Sequence, residues 1–367
     1  MDNNMFNENA EKQNSMNHEN MDQDNHSMNN NEMMNQQSLN MQYGYPGSNV
    51  SSDFNTNMNM ELDNAEQVNA KKILNKIGLA MAVMAGAILL SQFLISAILV
   101  GIFPDVEQED WFVWVLTAVT MYGVGLPIFY GMTRKIPSTP KKPLKKLKIY
   151  QFLIIFVICT AAMYITNFIS IFLTFLISLI KGGDILNPAL DAIVEGNFLL
   201  TFLYTSIGAP IVEELIFRKI LLDKVRRFGD LPAILITGLA FGLFHMNFAQ
   251  IFYAIALGII FAYVTLRTNT IRYTIILHIL INTIGATVAP LVVKNGNMLL
   301  ALLVGLWVIT SIVIGTFLFL YIVVIKKNIQ LDRGEISVPN KSAYLLNFGT
   351  ILFVAICLAM TISVLLA

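Results

Sequence analysis

Pro210-Ile211-Val212-Glu213-Glu214-Leu215-Ile216-Phe217-Arg218-Lys219 decides how this chain is read. Two adjacent carboxylates and an arginine stand inside an apolar run, Phe198 to Leu222, that otherwise has the composition of a membrane span. In water the stretch would be an amphipathic helix. In hydrocarbon, an ionisable side chain at mid-bilayer costs about 2.5–3.5 kcal/mol even on lenient insertion scales. Such groups face a bundle interior or a water-filled cavity, and they mark a functional site by default. Helix geometry divides the cluster. Glu214 and Arg218 are four apart, share a face and can pair. Glu213 points about 100° away and is left for another task. Pro210 has no N–H, so in an α-helix the carbonyl of Ser206 loses its partner and the helix kinks just before the glutamates.

The surroundings agree with a membrane reading. Hydrophobic residues make up 55% of the chain and charged residues 13%, against about a quarter charged in soluble domains. The zero net charge predicts no bulk affinity for nucleic acid. Cys159 and Cys357 both lie in apolar runs and give neither a disulfide framework nor a metal or redox motif. Residues 1–70 form an Asn- and Met-rich tail with Lys12 as its one basic residue, expected to be disordered. His18 and His26 lie in it with no repeat that would fix a metal geometry.

Nine apolar runs follow: about Ile77–Phe103, Trp111–Met132, Tyr150–Ile180, Phe198–Leu222, Leu231–Phe248, Gln250–Leu266, Tyr273–Val293, Met298–Ile325 and Leu345–Leu366. A hydrocarbon core needs about 20 such residues as a helix. The loop after the second run carries Arg134, Lys135, Lys141, Lys142, Lys145, Lys146 and Lys148, which makes it cytoplasmic by the positive-inside rule. The N-terminal tail is then cytoplasmic too, and the acidic loop Asp105–Asp110 is external. Basic residues at 219–227, 267–272 and 326–341 fit the same alternation. The expected fold is an all-α polytopic bundle of about nine spans behind a disordered tail. Two spans and the basic loop occupy 71–149, and a cytoplasmic loop and last span occupy 326–367.

Two further polar pairs lie in the spans. Phe241-Gly242-Leu243-Phe244-His245 ends the fifth, and His278-Ile279-Leu280-Ile281-Asn282 lies in the seventh. His278 and Asn282 share a face. At about 1.5 Å per residue, Glu213 lies about 20 Å from Arg226, His245 about 21 Å from Leu231, and His278 and Asn282 about 9–15 Å from Arg272. With tilt and a kink, all reach a common level. Taken singly, each has a plain structural reading: an ion pair for Glu214 and Arg218, interhelical hydrogen bonds for the histidines and Asn282, packing for Phe217 and Phe241. A free carboxylate, two imidazoles and an amide on three helices at one depth point to chemistry instead, because each carries its own burial cost.

Glu213-Glu214-x-x-x-Arg218, Phe241-x-x-x-His245 and His278-x-x-x-Asn282, in that order on successive spans, resemble the three motifs of the CPBP family, the CAAX-prenyl-protease and bacteriocin-processing (Abi) intramembrane proteases. The resemblance covers residues 150–325. Lys219 departs from it, since the family often has a small residue after the motif arginine. The resemblance implies an intramembrane endopeptidase that hydrolyses a peptide bond of a membrane-associated protein or peptide, by CAAX-type or leader and pheromone processing.

The residues are compatible with that chemistry. Glu213 acts as base on a water also held by His245, a contribution of about 10²–10⁴-fold. His278 and Asn282 donate to the oxyanion, one such donor being worth about 3–4 kcal/mol. Glu214 and Arg218 form a structural ion pair. No cofactor is expected in this version. The competing version puts zinc on Glu213, His245 and His278 with a fourth position open for water, without the HExxH motif that sets two ligands on one helix. Two other function classes use the same groups: a non-catalytic membrane interaction or bacteriocin self-immunity protein, and a proton-coupled carrier. The expected setting is a bacterial plasma membrane, with the lipid bilayer and the substrate as partners.

Overall fold

The computed structural model describes residues 50–366 apart from Lys141, Ser337, Pro339 and Asn340. Most of the Asn-rich tail, residues 1–49, lies outside the described residues. Every named element is helical: α1 (Val50–Ile102), α2 (Phe112–Thr133), α3 (Ile149–Lys181), α4 (Pro188–Glu195), α5 (Phe198–Phe228), α6 (Asp230–Phe244), α7 (Phe248–Thr268), α8 (Arg272–Val288), α9 (Ala289–Asn295), α10 (Met298–Ile325) and α11 (Phe348–Leu366). Helix α1 starts at Val50, so the end of the predicted tail is helical. The bundle proper occupies residues 65–367.

Among the described residues, seven helices are long and apolar enough to cross a bilayer: α1 from Val68, α2, α3, α5, α7, α10 and α11. Helices α6 and α8 are apolar but shorter. They stand where the sequence places the fifth and seventh spans. Large apolar side chains cover the outer faces of α3, α10 and α11, among them Phe172, Leu306, Phe317 and Ile351, all more than half exposed. A lipid solvent explains such a surface, and the chain is an integral membrane protein.

The fifth span ends earlier than its composition predicts, for local reasons. Helix α6 stops at Phe244 because Met246 takes a left-handed backbone, φ 49°. Asn247 then caps α7, its Oδ1 accepting the Ala249 N–H at 3.0 Å. The tip of this α6–α7 hairpin therefore carries His245. Gly238 and Gly242 on α6, four apart, admit the α7 backbone. A Cβ at Gly242 would lie 2.8 Å from the Ile251 carbonyl oxygen and 3.0 Å from the Ile255 nitrogen. Small residues at this spacing let membrane helices meet closely. Gly242→Val is expected to lower stability by about 1–3 kcal/mol through overpacking and to displace His245. Thermal unfolding in detergent measures the first effect and peptide cleavage the second.

The basic segments gather at one end of the bundle. The Lys145 N–H donates to the Thr268 carbonyl at 3.0 Å, and Asn269 Nδ2 donates to Pro143 at 2.9 Å. Lys224 Nζ donates to Ser138 Oγ at 2.5 Å. Asp230, buried, contacts Arg267 and also accepts the Asp332 N–H at 3.0 Å. Asp332 lies 2.6 Å from Lys142 Nζ, and that hydrogen bond holds its carboxyl below the usual carboxylate range. Loops 134–148 and 326–336 are thus laced over the ends of α5, α6 and α7, as alternating spans require.

Candidate active site

Helix α5 does not keep one helical register. It widens to π-helix over Phe202–Gly208, returns to α over Ala209–Glu213 and widens again over Glu214–Leu221. π-Segments inside helices occur frequently at functional sites. Here they bracket Glu213.

The two carboxylates have different surroundings. Glu214 and Arg218 side chains are fully buried, with Arg218 Nη1 3.0 Å from Glu214 Oε1. The guanidinium carbon lies 4.3 Å from the centre of the Phe241 ring and 5.3 Å from that of Phe261. Phe241 is therefore more than packing: its face stabilises the buried cation. The Glu213 side chain keeps 14% exposure. It is the carboxylate of the pair that small molecules can reach.

His278 joins the two. Its Nδ1 lies 3.1 Å from Glu214 Oε1 and its Nε2 3.5 Å from Glu213 Oε2. The Glu214 oxygen accepts, so Nδ1 carries a proton. Nε2 faces Glu213, and a proton or a water between them is needed to avoid opposing lone pairs. Helical phase separates the two glutamates, yet one imidazole with nitrogens on two edges reaches both. His245 Nδ1 donates to the Phe241 carbonyl at 2.8 Å, which leaves Nε2 as an acceptor. Both histidine rings stand edge-on to Phe241, at 4.9 and 5.6 Å. The structure thus gathers Glu214, Arg218, Phe241 and His278 into a buried cluster, with Glu213 and His245 half-buried at its edge.

Asn282 makes an interhelical hydrogen bond. Its Nδ2 donates to the Thr205 carbonyl at 2.9 Å. The π-register explains why. The Ala209 N–H reaches back five residues to Tyr204, so the next carbonyl, Thr205, would take its hydrogen from residue 210. Residue 210 is proline and has none. The orphaned carbonyl is that of Thr205, not of Ser206 as an α-helix would have it, and Asn282 supplies the missing donor. Asn282→Ala is expected to cost about 1–3 kcal/mol through an unsatisfied buried acceptor. Pro210→Ala in the same chain should recover most of it by restoring an N–H. Thermal unfolding of the two variants tests this. A stable but inactive double variant would give the amide a second role, on the substrate.

Sequence reasoning missed three tyrosines. Tyr122, Tyr204 and Tyr253 surround Glu213 closely enough to feel its charge. Tyr253 stands edge-on to His245 at 6.5 Å. A Cβ on Gly208 would lie 2.6 Å from the Tyr122 hydroxyl, so that glycine makes room for it. A polar tip in an apolar span was the available signal, and it is a weak one.

Among the described residues, no three His, Cys, Asp or Glu side chains are spaced to hold a metal ion. Glu213, His245 and His278 are neighbours, but His278 turns both nitrogens to carboxylates.

Residues 195–284 match the family model described as type II CAAX prenyl endopeptidase Rce1-like. That range contains all three motifs. Over this segment the chain is similar to that endopeptidase family. A Bacillus subtilis (strain 168) protein described as "Putative membrane peptidase YdiL" is 34% identical over 85 residues, which are 23% of this chain and 35% of the relative. The chain thus matches about a third of that relative's length. No solved structure matches it. The match ends shortly after Asn282, leaving α1–α3 and α9–α11 outside it.

Proposed function

We propose that the chain is an intramembrane endopeptidase in which Glu213 activates a water to cleave a peptide bond of a membrane-associated protein or peptide. The observation that carries this reading is the inequality of two adjacent glutamates. Glu214 is closed off by Arg218 and His278, while Glu213 is left partly open beside the free edge of the His278 imidazole. A structural ion pair needs only one carboxylate.

His245 Nε2 accepts one hydrogen of the attacking water, and Glu213 takes the other as the oxygen adds to the carbonyl carbon. The proton then passes to the leaving amine. His278 holds a proton at the edge facing Glu213 and donates to the developing oxyanion as the substrate carbonyl displaces that contact. Asn282 keeps the start of α5 in register. No metal takes part, so activity is expected to survive exhaustive chelation. Recovery by zinc after loss would move the chemistry to a metal centre. The basic end of the bundle faces the cytoplasm of a bacterial cell. The family model's description favours substrates of the CAAX type, and a leader or pheromone precursor presents the same bond to the same groups. Mass spectrometry of peptides released by cells carrying the unaltered chain or its Glu213→Gln variant tests the reading and separates these substrates. Identical peptide sets would defeat it.

A further inference from the structure

The first residues of α3 and α8 stand side by side at the basic end of the bundle. The Leu147 N–H donates to the Tyr273 hydroxyl at 3.1 Å, and the Phe152 and Tyr273 rings lie 6.5 Å apart. A helix N-terminus carries partial positive charge, and acidic side chains are the ones that stabilise it. These two first turns hold none. Instead Lys145, Lys146 and Lys148 lead into α3, and Arg272 opens α8, all four exposed. Among the described residues, none of the four forms an ion pair. Nearby carboxylates are already engaged: Asp223 lies 3.6 Å from Lys224, Asp230 contacts Arg226 and Arg267, and Asp332 holds Lys142. Four cations thus stand at two positive helix ends with no counter-charge from the chain.

Orienting a protein in a bilayer takes positive charge at one end, but it does not require those charges to be fixed in place. The segment before α3 is fixed. Pro140 and Pro143 stiffen it, the Lys145 N–H is tied to the Thr268 carbonyl, and the Pro143 carbonyl is tied to Asn269. Such ties reduce the ordering cost of binding a ligand. Apolar side chains alternate with the cations: Leu144, Ile149 and Tyr150 are 69%, 73% and 54% exposed. Where a helix enters a bilayer, such side chains meet acyl chains while lysine heads stay at headgroup level. The occupant that fits is anionic at one end and apolar at the other.

We propose that this corner binds an anionic phospholipid of the adjoining leaflet, with Lys145, Lys146, Lys148 and Arg272 around its phosphate and Leu144 and Ile149 along its chains. Basic pockets between membrane helices hold anionic headgroups in this way. The site does not depend on the peptidase reading. Native mass spectrometry of the full-length protein in a neutral detergent, titrated with phosphatidylglycerol or with phosphatidylcholine of the same chains, tests it. Phosphatidylglycerol is expected to bind about tenfold more tightly. Replacing all four cations by glutamine should weaken its binding by about 10²-fold, since one cation near an anionic surface is worth about fivefold, and should leave phosphatidylcholine binding unchanged. Replacing Lys71, Lys72 and Lys76, exposed on α1, by glutamine removes comparable charge and should change phosphatidylglycerol binding by no more than about twofold. Equal binding of the two lipids by the unmodified protein overturns the site. An equal loss from the α1 replacement also overturns it, because bulk charge alone would then account for binding. Displacement of the lipid by millimolar inorganic phosphate would show an anion site without apolar contacts and would overturn the lipid assignment.

Discussion

Glu213→Gln is expected to reduce peptide cleavage by about 10²–10⁴-fold, the usual worth of a general base, while the protein unfolds at nearly the same temperature. Glutamine keeps the volume and a carbonyl acceptor but cannot take a proton at neutral pH. The Glu213 side chain is partly exposed, and its nearest ionisable contact is His278 Nε2 at 3.5 Å. Little packing or ion pairing is lost with it. The effect should fall on kcat and kcat/KM together, because the interaction exists only as the water is deprotonated. A rise in KM alone would mean that Glu213 binds substrate rather than activating water. Wild-type cleavage by the glutamine variant would end the assignment. A non-catalytic interaction protein would tolerate the change in a complementation assay, and a proton-coupled carrier would instead lose uptake.

Much of this site is legible in the chain because it rests on local geometry. The spacing of Glu214 and Arg218 specifies an ion pair, and the structure has it at 3.0 Å. The cost of charge in hydrocarbon singles out Glu213, His245 and His278 before any coordinates are known. What cannot be read depends on register and on distant partners. The π-turns of α5 leave no mark in composition, and they move the orphaned carbonyl from Ser206 to Thr205. Asn282 finds that carbonyl across 77 residues of sequence. Span five reads as continuous to Phe248 because Met246 is apolar, although its backbone is left-handed. The Asp230–Arg267–Asp332 contacts join three separate segments that no periodicity connects.

Breaking the buried ion pair from one side gives the largest expected loss of stability. Glu214→Gln leaves the Arg218 cation without a counter-charge, and Arg218→Met does the same to the Glu214 carboxylate. Each single change is expected to cost about 3–5 kcal/mol, the penalty of an uncompensated buried charge. The double variant should recover most of that loss. Glutamine at 214 still accepts from His278 Nδ1, and methionine at 218 fills the slot against Phe241 and Phe261. Neutral replacement of a buried pair is often close to neutral in stability. Arg218→Lys should not substitute well, because an ammonium lacks the planar face that lies on the rings. Unfolding midpoints of the four proteins in the same lipid give the coupling energy. Additive losses would show that the two groups do not act as a pair. Recovery of fold with retained cleavage would leave Glu213 as the carboxylate that the reaction needs, and Glu214 as the one that holds His278 in place for it.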